Sequence, residues 1–154
     1  MADKAILKIA LDKAMAQCSR REFCSDDIRS KLSLWGVEKN DAEKIIKTLI
    51  KGNYINESRY AIAFAHDKFK YNKWGKVKIA GHLKLKKLPP EVISSALDSI
   101  DNEQYTKLLR GIIEGHRRTI KARNQYDLKA KLLRYGLSKG YESSLLNEIL
   151  NELD

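Results

Sequence analysis

Residues 42–52, AEKIIKTLIKG, place apolar side chains at positions 42, 45, 46, 49 and 50, with polar residues between them. An α-helix has 3.6 residues per turn, so spacings of three and four residues put these side chains on one face. Gly52 follows the last apolar position, where helices commonly end. The stretch therefore predicts an amphipathic helix with one face in a core.

The same spacing recurs along most of the chain, notably in Ile6–Met15 and Tyr141–Leu153. Only two prolines are present, Pro89 and Pro90, and no segment alternates apolar and polar residues as a half-buried strand would. The sequence therefore predicts an all-α fold. Three glycines follow predicted helices, where a left-handed residue often ends a helix: Gly36, Gly52 and Gly136.

An internal repeat organises these helices. Apolar positions 28 and 32 recur 51 residues later, at 79 and 83, and 49 residues further on, at 128 and 132. The same shifts carry positions 45, 46 and 49 onto 96, 97 and 100, and then onto 145, 146 and 149. The Gly36-Val37 step recurs as Gly136-Leu137, with Lys87-Leu88 at the middle position. We therefore predict three tandem three-helix repeats, at 1–52, 53–101 and 102–154, forming a curved or elongated rod.

The amino-acid composition limits the classes of partner that this protein is expected to bind. The 154 residues include 30 Lys and Arg against 20 Asp and Glu, a net charge of +10, which favours a nucleic acid, an acidic protein surface or an anionic lipid as partner. No uncharged stretch approaches the ~20 residues of a membrane helix, and the first residues lack the pattern of a signal peptide. We expect a cytoplasmic protein that neither spans a membrane nor is secreted.

The sequence contains few residues in patterns typical of metal binding or catalysis. Cys18 and Cys24 lack the CxxC spacing, and the three histidines stand far apart, so we expect reduced thiols and no metal site. No phosphate-binding loop, nucleophile elbow or paired-carboxylate pattern is present. The sequence predicts a binding protein without catalytic residues or cofactor.

The positive charge is concentrated in two blocks. Residues 68–87 contain eight lysines and no acid, and residues 115–126 contain four basic residues and no acid. Arg20 and Arg21 stand at the corresponding junction of the first repeat, so the basic feature itself is approximately repeated. We take these junctions as candidate sites for a long partner surface. The candidates are Lys68, Lys70, Lys73, Trp74, Lys76, Lys78, Arg117, Arg118, Lys121 and Arg123, with Arg20, Arg21 and Tyr71 as secondary candidates.

Two interpretations of these blocks stay open. Tyr71 and Trp74 could stack on bases while the lysines follow phosphates, or Trp74 could pack between helices, as we expect for Phe69. The second block could form a phosphate clamp or contact an acidic protein face. Major-groove reading by a helix-turn-helix is disfavoured, because the third helices are apolar on one side and acidic on the other.

Three segments resemble the RecX family. Residues 52–61, GNYINESRYA, followed by Phe64, resemble its gYlDDxRFAxxF junction, and residues 74–79, WGKVKI, resemble its kGxxkI segment. Upstream, residues 20–36 are similar to its RxSxxELxxKL…G pattern. The likeness covers about residues 10–100 in order and spacing. It departs at Asn56, which replaces an acid, at Cys24, just ahead of an expected serine, and at residues 87–89, where Lys-Leu-Pro replaces Gly-Ile.

The resemblance implies a regulator of homologous recombination, usually an inhibitor, that lies in the groove of the RecA–DNA filament and modulates its ATPase and strand exchange. On this reading the partners are the RecA filament and single- or double-stranded DNA, contacted through phosphates, and the chain acts as a monomer. The family positions at 54, 59, 60 and 64 are expected to be mainly architectural. Two rival hypotheses remain: a sequence-nonspecific nucleic-acid-binding module that acts without RecA, and a helical adaptor for an unrelated acidic protein.

Overall fold

A computed structural model describes residues 3–153, and every regular element in that range is an α-helix. The main helix–helix contacts lie within three consecutive groups of three helices, here called units 1, 2 and 3. The predicted all-α class and three-helix repeat are confirmed, whereas the residue boundaries of the repeats stay predictions. The helices are α1 Lys4–Arg20, α2 Ser25–Leu34, α3 Lys39–Lys51, α4 Glu57–Lys70, α5 Lys76–Leu85, α6 Pro90–Asp98, α7 Asn102–Arg117, α8 Gln125–Ser138 and α9 Ser143–Asn151.

Helix α3 shows why the apolar spacing predicts the fold. Ala42, Ile45, Ile46 and Leu49 are all buried against the rest of unit 1. Ile50 lies at the edge of this face and is 49 % exposed. The apolar face of α3 is thus one side of the core of unit 1, as the sequence predicts.

The helix ends differ from the prediction at two glycines. Gly36 has the expected left-handed conformation, with φ +82°. Gly52 has φ −82°, and the left-handed residue is Asn53, with φ +62°. Gly136 lies inside α8, and a Cβ there would meet the side chain of Leu146, with Cγ at 3.2 Å. The expectation for Gly52 and Gly136 was therefore wrong, and Gly136 is needed for helix packing instead.

The register of the repeat also changes in unit 3. The left-handed residue is Gly36 in unit 1, Lys87 in unit 2 and Gly140 in unit 3, with φ of +82°, +64° and +91°. In each unit the N–H of the residue after the left-handed one donates to the carbonyl five residues before it. This Schellman-type bond ends the middle helix. Helix α8 has 14 residues, whereas α2 and α5 have ten. The counterpart of Gly36 is thus Gly140, and our alignment of α9 was wrong by one helical turn.

Two hydrophobic cores share the nine helices of residues 3–153. One belongs to unit 1, and the other runs without interruption through units 2 and 3. Polar contacts are prominent where unit 1 meets unit 2: Glu57 accepts hydrogen bonds from the Ser25 backbone N–H and hydroxyl, at 2.8 and 3.0 Å. The Arg59 Nε donates to Glu22, at 2.7 Å. Unit 1 is thus joined to unit 2 by these polar contacts and by Cys24, which is buried in the core of units 2 and 3, and that continuous core makes units 2 and 3 one body.

A pair of glycines brings units 2 and 3 into backbone contact. The Gly75 N–H donates to the Lys139 carbonyl at 2.8 Å, and the Val77 N–H donates to the Gly140 carbonyl at 2.9 Å. A Cβ on Gly75 would lie 2.5 Å from the Tyr141 nitrogen, and a Cβ on Gly140 would lie 2.7 Å from the Lys78 nitrogen. Because Gly75 has an ordinary φ of −78°, close approach, and not a turn, requires glycine at this position.

Both cysteines are free and buried, and Cys24 has no exposed surface. Burial raises the pKa of the Cys24 thiol to about 12. At pH 8 the native protein should therefore react with iodoacetamide at Cys24 on the order of a thousandfold more slowly than an unfolded thiol does. Mass spectrometry of timed samples, with a urea-unfolded sample as the reference, measures the rate. Rapid labelling of Cys24 in native buffer would contradict this burial.

Candidate binding grooves

The loop between α4 and α5 holds the aromatic residue of the first basic block. The Trp74 N–H donates to the Lys68 carbonyl at 3.0 Å, which fixes the loop against the end of α4. The half-buried indole ring packs near Phe64 and His82, at centroid distances of 6.4 and 4.5 Å. The ammonium groups of Lys68 and Lys78 lie 5.1 and 4.6 Å from the indole centroid. We call Lys68, Trp74 and Lys78 the Trp74 cluster.

Unit 3 fixes the position of this loop. Lys73 has φ +58°, a conformation that L-residues seldom adopt, and its carbonyl accepts a hydrogen bond from the Tyr141 hydroxyl at 3.0 Å. The Lys76 N–H donates to the Tyr105 hydroxyl at 2.9 Å, and that hydroxyl donates in turn to Glu142. The first donors of α5 are thus satisfied by unit 3, so the Trp74 cluster is held rigidly.

A groove of about 760 Å³ lies between units 1 and 2. Its aromatic side chains are Phe23, Tyr60 and Phe64, and cations lie over two of these rings. The Arg21 guanidinium and the Lys31 ammonium lie 4.5 and 5.0 Å from the Phe23 centroid. The structure therefore brings Arg21 and Lys68, which are far apart in sequence, into one groove, which we call the inter-unit groove.

Three acids line the inter-unit groove: Glu22 and Asp27 are neutralised internally, and Asp67 has no ion pair within residues 3–153. Glu22 pairs with Arg59, and Asp27 pairs with Lys86 at 2.6 Å. Burial would raise the pKa of the Asp27 carboxyl, but the hydrogen bonds from Lys86 and Cys24, with the attraction of the Lys86 charge, together outweigh it and hold that pKa below its usual value. Within residues 3–153, Arg21, Lys31 and Lys68 form no ion pair. Three cations without an ion pair, against one such acid, leave the groove with an excess of positive charge.

The other members of the first block lie elsewhere. Lys70 and Lys73 line a second groove, on α7, and the Lys76 ammonium lies 4.8 Å from the Tyr105 centroid. Tyr71 is 73 % exposed, with the Lys70 ammonium 5.7 Å from its ring. Phe69 is buried, which confirms that it packs in the core. The first block therefore does not form a single patch: Lys68 lines the inter-unit groove, Lys70 and Lys73 line the groove on α7, and Trp74, Lys76 and Lys78 line neither.

The second block shows no shared site among the described residues. The half-buried Arg117 pairs with Glu114 at 3.4 Å. The Arg123 N–H donates to Asp127, and this bond, with one from Lys131, lowers the pKa of the Asp127 carboxyl to about 2. Arg118 and Lys121 are exposed. No contact among residues 3–153 draws the four candidates into a clamp, and Arg20 is exposed at the end of α1 without lining a groove.

The family-pattern positions lie at the junction of units 1 and 2. The Asn56 side chain accepts a hydrogen bond from the Arg59 N–H at 2.9 Å and so caps α4, although an acid is usual there. The Arg59 guanidinium reaches the Asn53 carbonyl at 3.0 Å as well as Glu22. Tyr60 is buried beside Cys24 in the core that units 2 and 3 share. These contacts are structural and position α4 against α2.

Sequence reasoning missed several cations of both grooves. Lys31 and Lys86 line the inter-unit groove, but Lys31 stands among ordinary helix residues, and Lys86, at the end of the first basic block, was not among the candidates. Lys107 lines the groove on α7, and Lys139 lies in a smaller groove beside it. A helical projection of α7 would have placed Lys107 beside Leu108 and Gly111 on one face. No signal of that kind links Lys31 to Arg21, because tertiary packing brings them together.

Between residues 3 and 153, no group of acidic, histidine or cysteine side chains has the arrangement of a metal site. Over the same range, no helix is long and apolar enough to cross a membrane. The geometry defines a tandem three-helix repeat protein with surface grooves that contain cations without ion pairs.

Comparisons with known proteins agree with this class. Residues 56–97 match the family described as "RecX, second three-helix domain". The regulatory protein RecX of Clostridium acetobutylicum is 31% identical over 148 residues, which cover 94% of this chain and 68% of that protein. That of Clostridium beijerinckii is 29% identical over 129 residues, and the match covers 82% of this chain and 60% of that protein. The crystal structure of RecX from Lactobacillus salivarius superposes with a TM-score of 0.84 at 18% identity, covering 97% of both chains. The chain belongs to the RecX family.

Proposed function

We propose that this protein regulates RecA recombinase, in the inhibitory sense, by binding in the groove of the RecA–ssDNA filament. The observation that carries the proposal is the set of unpaired cations around Trp74 and in the inter-unit groove: Arg21, Lys31, Lys68 and Lys78. The relatives are named regulatory proteins, which supports a regulatory role. The role requires neither an active site nor a cofactor, and we propose that a cytoplasmic monomer performs it.

The mechanism follows from the positions of these cations. An acidic protein surface and a DNA phosphate backbone lie side by side in a nucleoprotein filament, and a basic groove attracts both. The aromatic rings beneath Arg21, Lys31 and Lys68 hold the cations in place, so that less side-chain entropy is lost on binding. A protein bound there would block the incoming duplex or favour net loss of filament subunits.

Titration of RecA's ssDNA-dependent ATPase with this protein tests the proposal. We expect inhibition at substoichiometric protein, because one bound chain affects filament growth beyond its own contacts. Binding to the same ssDNA without RecA should be weak at moderate salt. An ATPase rate that does not change with added protein would refute the proposed role.

The half-exposed indole of Trp74, between two ammonium groups, favours a second candidate, sequence-nonspecific binding to single-stranded nucleic acid. Four cations on phosphates would give a slope of about −3 in the logarithm of affinity against the logarithm of salt concentration. Tight ssDNA binding with that slope, and no effect on RecA, would favour this candidate.

A further inference from the structure

The exposed face of α7 forms a groove with an apolar floor, distinct from the inter-unit groove. This α7 groove has a volume of about 580 Å³, and its floor includes Phe69, Leu108, Gly111 and Ile112. A smaller groove of about 330 Å³ continues it past Gly111 toward Gly115 and Thr119. Together they follow α7 from position 104 to position 116, about 18 Å at 1.5 Å per residue, and reach Thr119 beyond the end of the helix. This is the length of a helix of about three turns.

The rim of the α7 groove is positively charged. Lys70, Lys73 and Lys107 line the main groove, and Lys139 lines its continuation. No acidic side chain lines either part, and none of the four lysines forms an ion pair within residues 3–153. An occupant with acidic residues beside an apolar stripe would match both the rim and the floor.

The floor is open because glycine stands where larger residues would fill it. Nothing lies within 4 Å of a Cβ built on Gly111 or Gly115, which are one turn apart in α7. Glycine inside a helix costs roughly 1 kcal/mol relative to alanine, and no contact within residues 3–153 explains that cost here. An open floor of this kind allows the backbone of a bound helix to approach α7 closely.

We propose that the α7 groove binds an acidic amphipathic α-helix of the partner protein, with the apolar side of that helix on the floor and its carboxylates on the lysine rim. The inference rests on the proposed function, because the partner is taken to be the recombinase filament. Nucleic acid fits the groove less well: Phe69, the aromatic ring of the main groove, is 8 % exposed and offers no face for base stacking. In the continuation, one face of the Tyr135 ring is already stacked on His116, with ring centroids 3.6 Å apart. A phosphate backbone would also leave the apolar floor uncovered.

Two variants test the groove, with the recombinase–ssDNA filament as one probe and the same ssDNA alone as the other. Gly111→Leu fills the floor, and Lys107→Glu reverses a rim charge that lies outside the basic blocks of the sequence. Ser94→Leu, at an exposed position of α6 that lines neither part of the groove, controls for an added surface leucine. Fluorescence anisotropy of the labelled chain measures both affinities, and circular dichroism measures folding. The melting temperature of Gly111→Leu should not fall, because its Cβ enters open space.

We expect each groove variant to weaken filament binding about tenfold and to leave ssDNA binding unchanged, while Ser94→Leu leaves both unchanged. Filament binding at the wild-type level in both groove variants would overturn this inference and leave the proposed function intact. A parallel loss of ssDNA binding would assign the groove to nucleic acid and also overturn it. If the wild-type chain fails to bind the filament, the proposed function is refuted, and the inference is refuted with it.

Discussion

Replacing Gly75 by alanine should lower the free energy of unfolding by about 3–5 kcal/mol, the largest effect that we expect from one methyl group in this chain. The new Cβ would lie 2.5 Å from the Tyr141 nitrogen and closer still to the Gly140 carbonyl, and real Cβ atoms essentially never come within 3.0 Å of such atoms. Backbone atoms cannot relieve this contact by rotating away from the new Cβ, as the end of a flexible side chain can. The loop between α8 and α9 must therefore move away from α5.

That movement breaks the hydrogen bonds between the two backbones. The Gly75 and Val77 N–H groups donate to unit 3, and each donor left unpaired and buried costs about 1–3 kcal/mol. Gly140→Ala should destabilise to a similar extent, because its Cβ would meet the Lys78 backbone and its φ of +91° is unfavourable for alanine. Urea denaturation at 25 °C measures both changes.

Gly81→Ala is the matched control for Gly75→Ala. Gly81 lies on the same helix, α5, is exposed and has nothing within 4 Å of a Cβ. Alanine there should raise the free energy of unfolding by up to about 1 kcal/mol through helix propensity. Equal stability of the Gly75→Ala and Gly81→Ala variants would show that the two backbones do not meet as described.

The fluorescence of the two tryptophans can show which part of the structure Gly75→Ala destabilises. Trp35 packs against the core of unit 1, and Trp74 packs against the core that units 2 and 3 share. In single-tryptophan backgrounds, Gly75→Ala should shift the Trp74 transition to lower urea and move the Trp35 transition less. Equal shifts would mean that the three units unfold as one, despite the two cores.

Most of this fold follows from apolar spacing alone. Ile28, Ile79 and Leu128 begin the buried face of each middle helix, and Leu32, Leu83 and Leu132 continue it with no exposed surface. Burying a helix needs only a stripe of the right period, which the sequence displays directly. The two shifts of 51 and 49 residues therefore locate the start of each middle helix correctly.

The end of α8 could not be predicted in the same way. Gly136 and Gly140 are both plausible helix ends, and choosing between them depends on whether Leu146 or Lys78 approaches the glycine. At Gly136, where the Leu146 side chain packs, the helix continues past the glycine. At Gly140, where Lys78 approaches, the glycine is left-handed and the helix has ended. Both are tertiary contacts. Lys87 adopts φ +64° without being glycine, so its residue type does not mark that helix end, and only the repeat, which aligns Lys87-Leu88 with Gly36-Val37, points to it.

The sequence predicts the positive charge of the candidate site but not which side chains lie together in it. A block of eight lysines without acids marks the α4–α5 junction from sequence. Which lysines act together depends on helix faces: Lys68 faces the inter-unit groove, whereas Lys70, two residues later, lines the α7 groove. Lys31 joins the site only because α2 packs beside α4. The local sequence shows where the cations are, and the packing of the helices decides which of them lie in the same groove.

The double charge reversal Lys68→Glu/Lys78→Glu should raise the concentration of this protein needed to inhibit RecA's ATPase by roughly a hundredfold, about 2.8 kcal/mol. Both ammonium groups lie near the Trp74 ring, so the change replaces two attractions at one point with two repulsions. The fold should tolerate it, because neither lysine forms an ion pair within residues 3–153. The lost cation–π contacts cost about 0.5–1 kcal/mol each, and helical circular dichroism should not change.

The control must alter net charge equally at another place. Lys44→Glu/Lys47→Glu on α3 does so at two exposed positions outside the inter-unit groove. If net charge alone attracts the partner, both double variants should lose inhibition to the same degree, and the loss should fade together as salt rises. We expect the α3 variant to inhibit within about threefold of wild type. An Lys68→Glu/Lys78→Glu protein that inhibits normally would refute the placement of the site at the Trp74 cluster.

Substitution of Trp74 separates the two partners that the cluster is proposed to attract. Trp74→Phe keeps an aromatic face between the ammonium groups, whereas Trp74→Leu keeps an apolar volume without one. If bases stack on the ring, Trp74→Leu should weaken ssDNA binding by about 1–3 kcal/mol and Trp74→Phe should weaken it less. If the ring serves only to hold Lys68 and Lys78, ssDNA binding should change little in either variant, and filament inhibition should fall with the loss of the cation–π contacts. The first result would favour the nucleic-acid-binding candidate, and the second would make the cluster a protein-binding site whose aromatic residue acts through its two lysines.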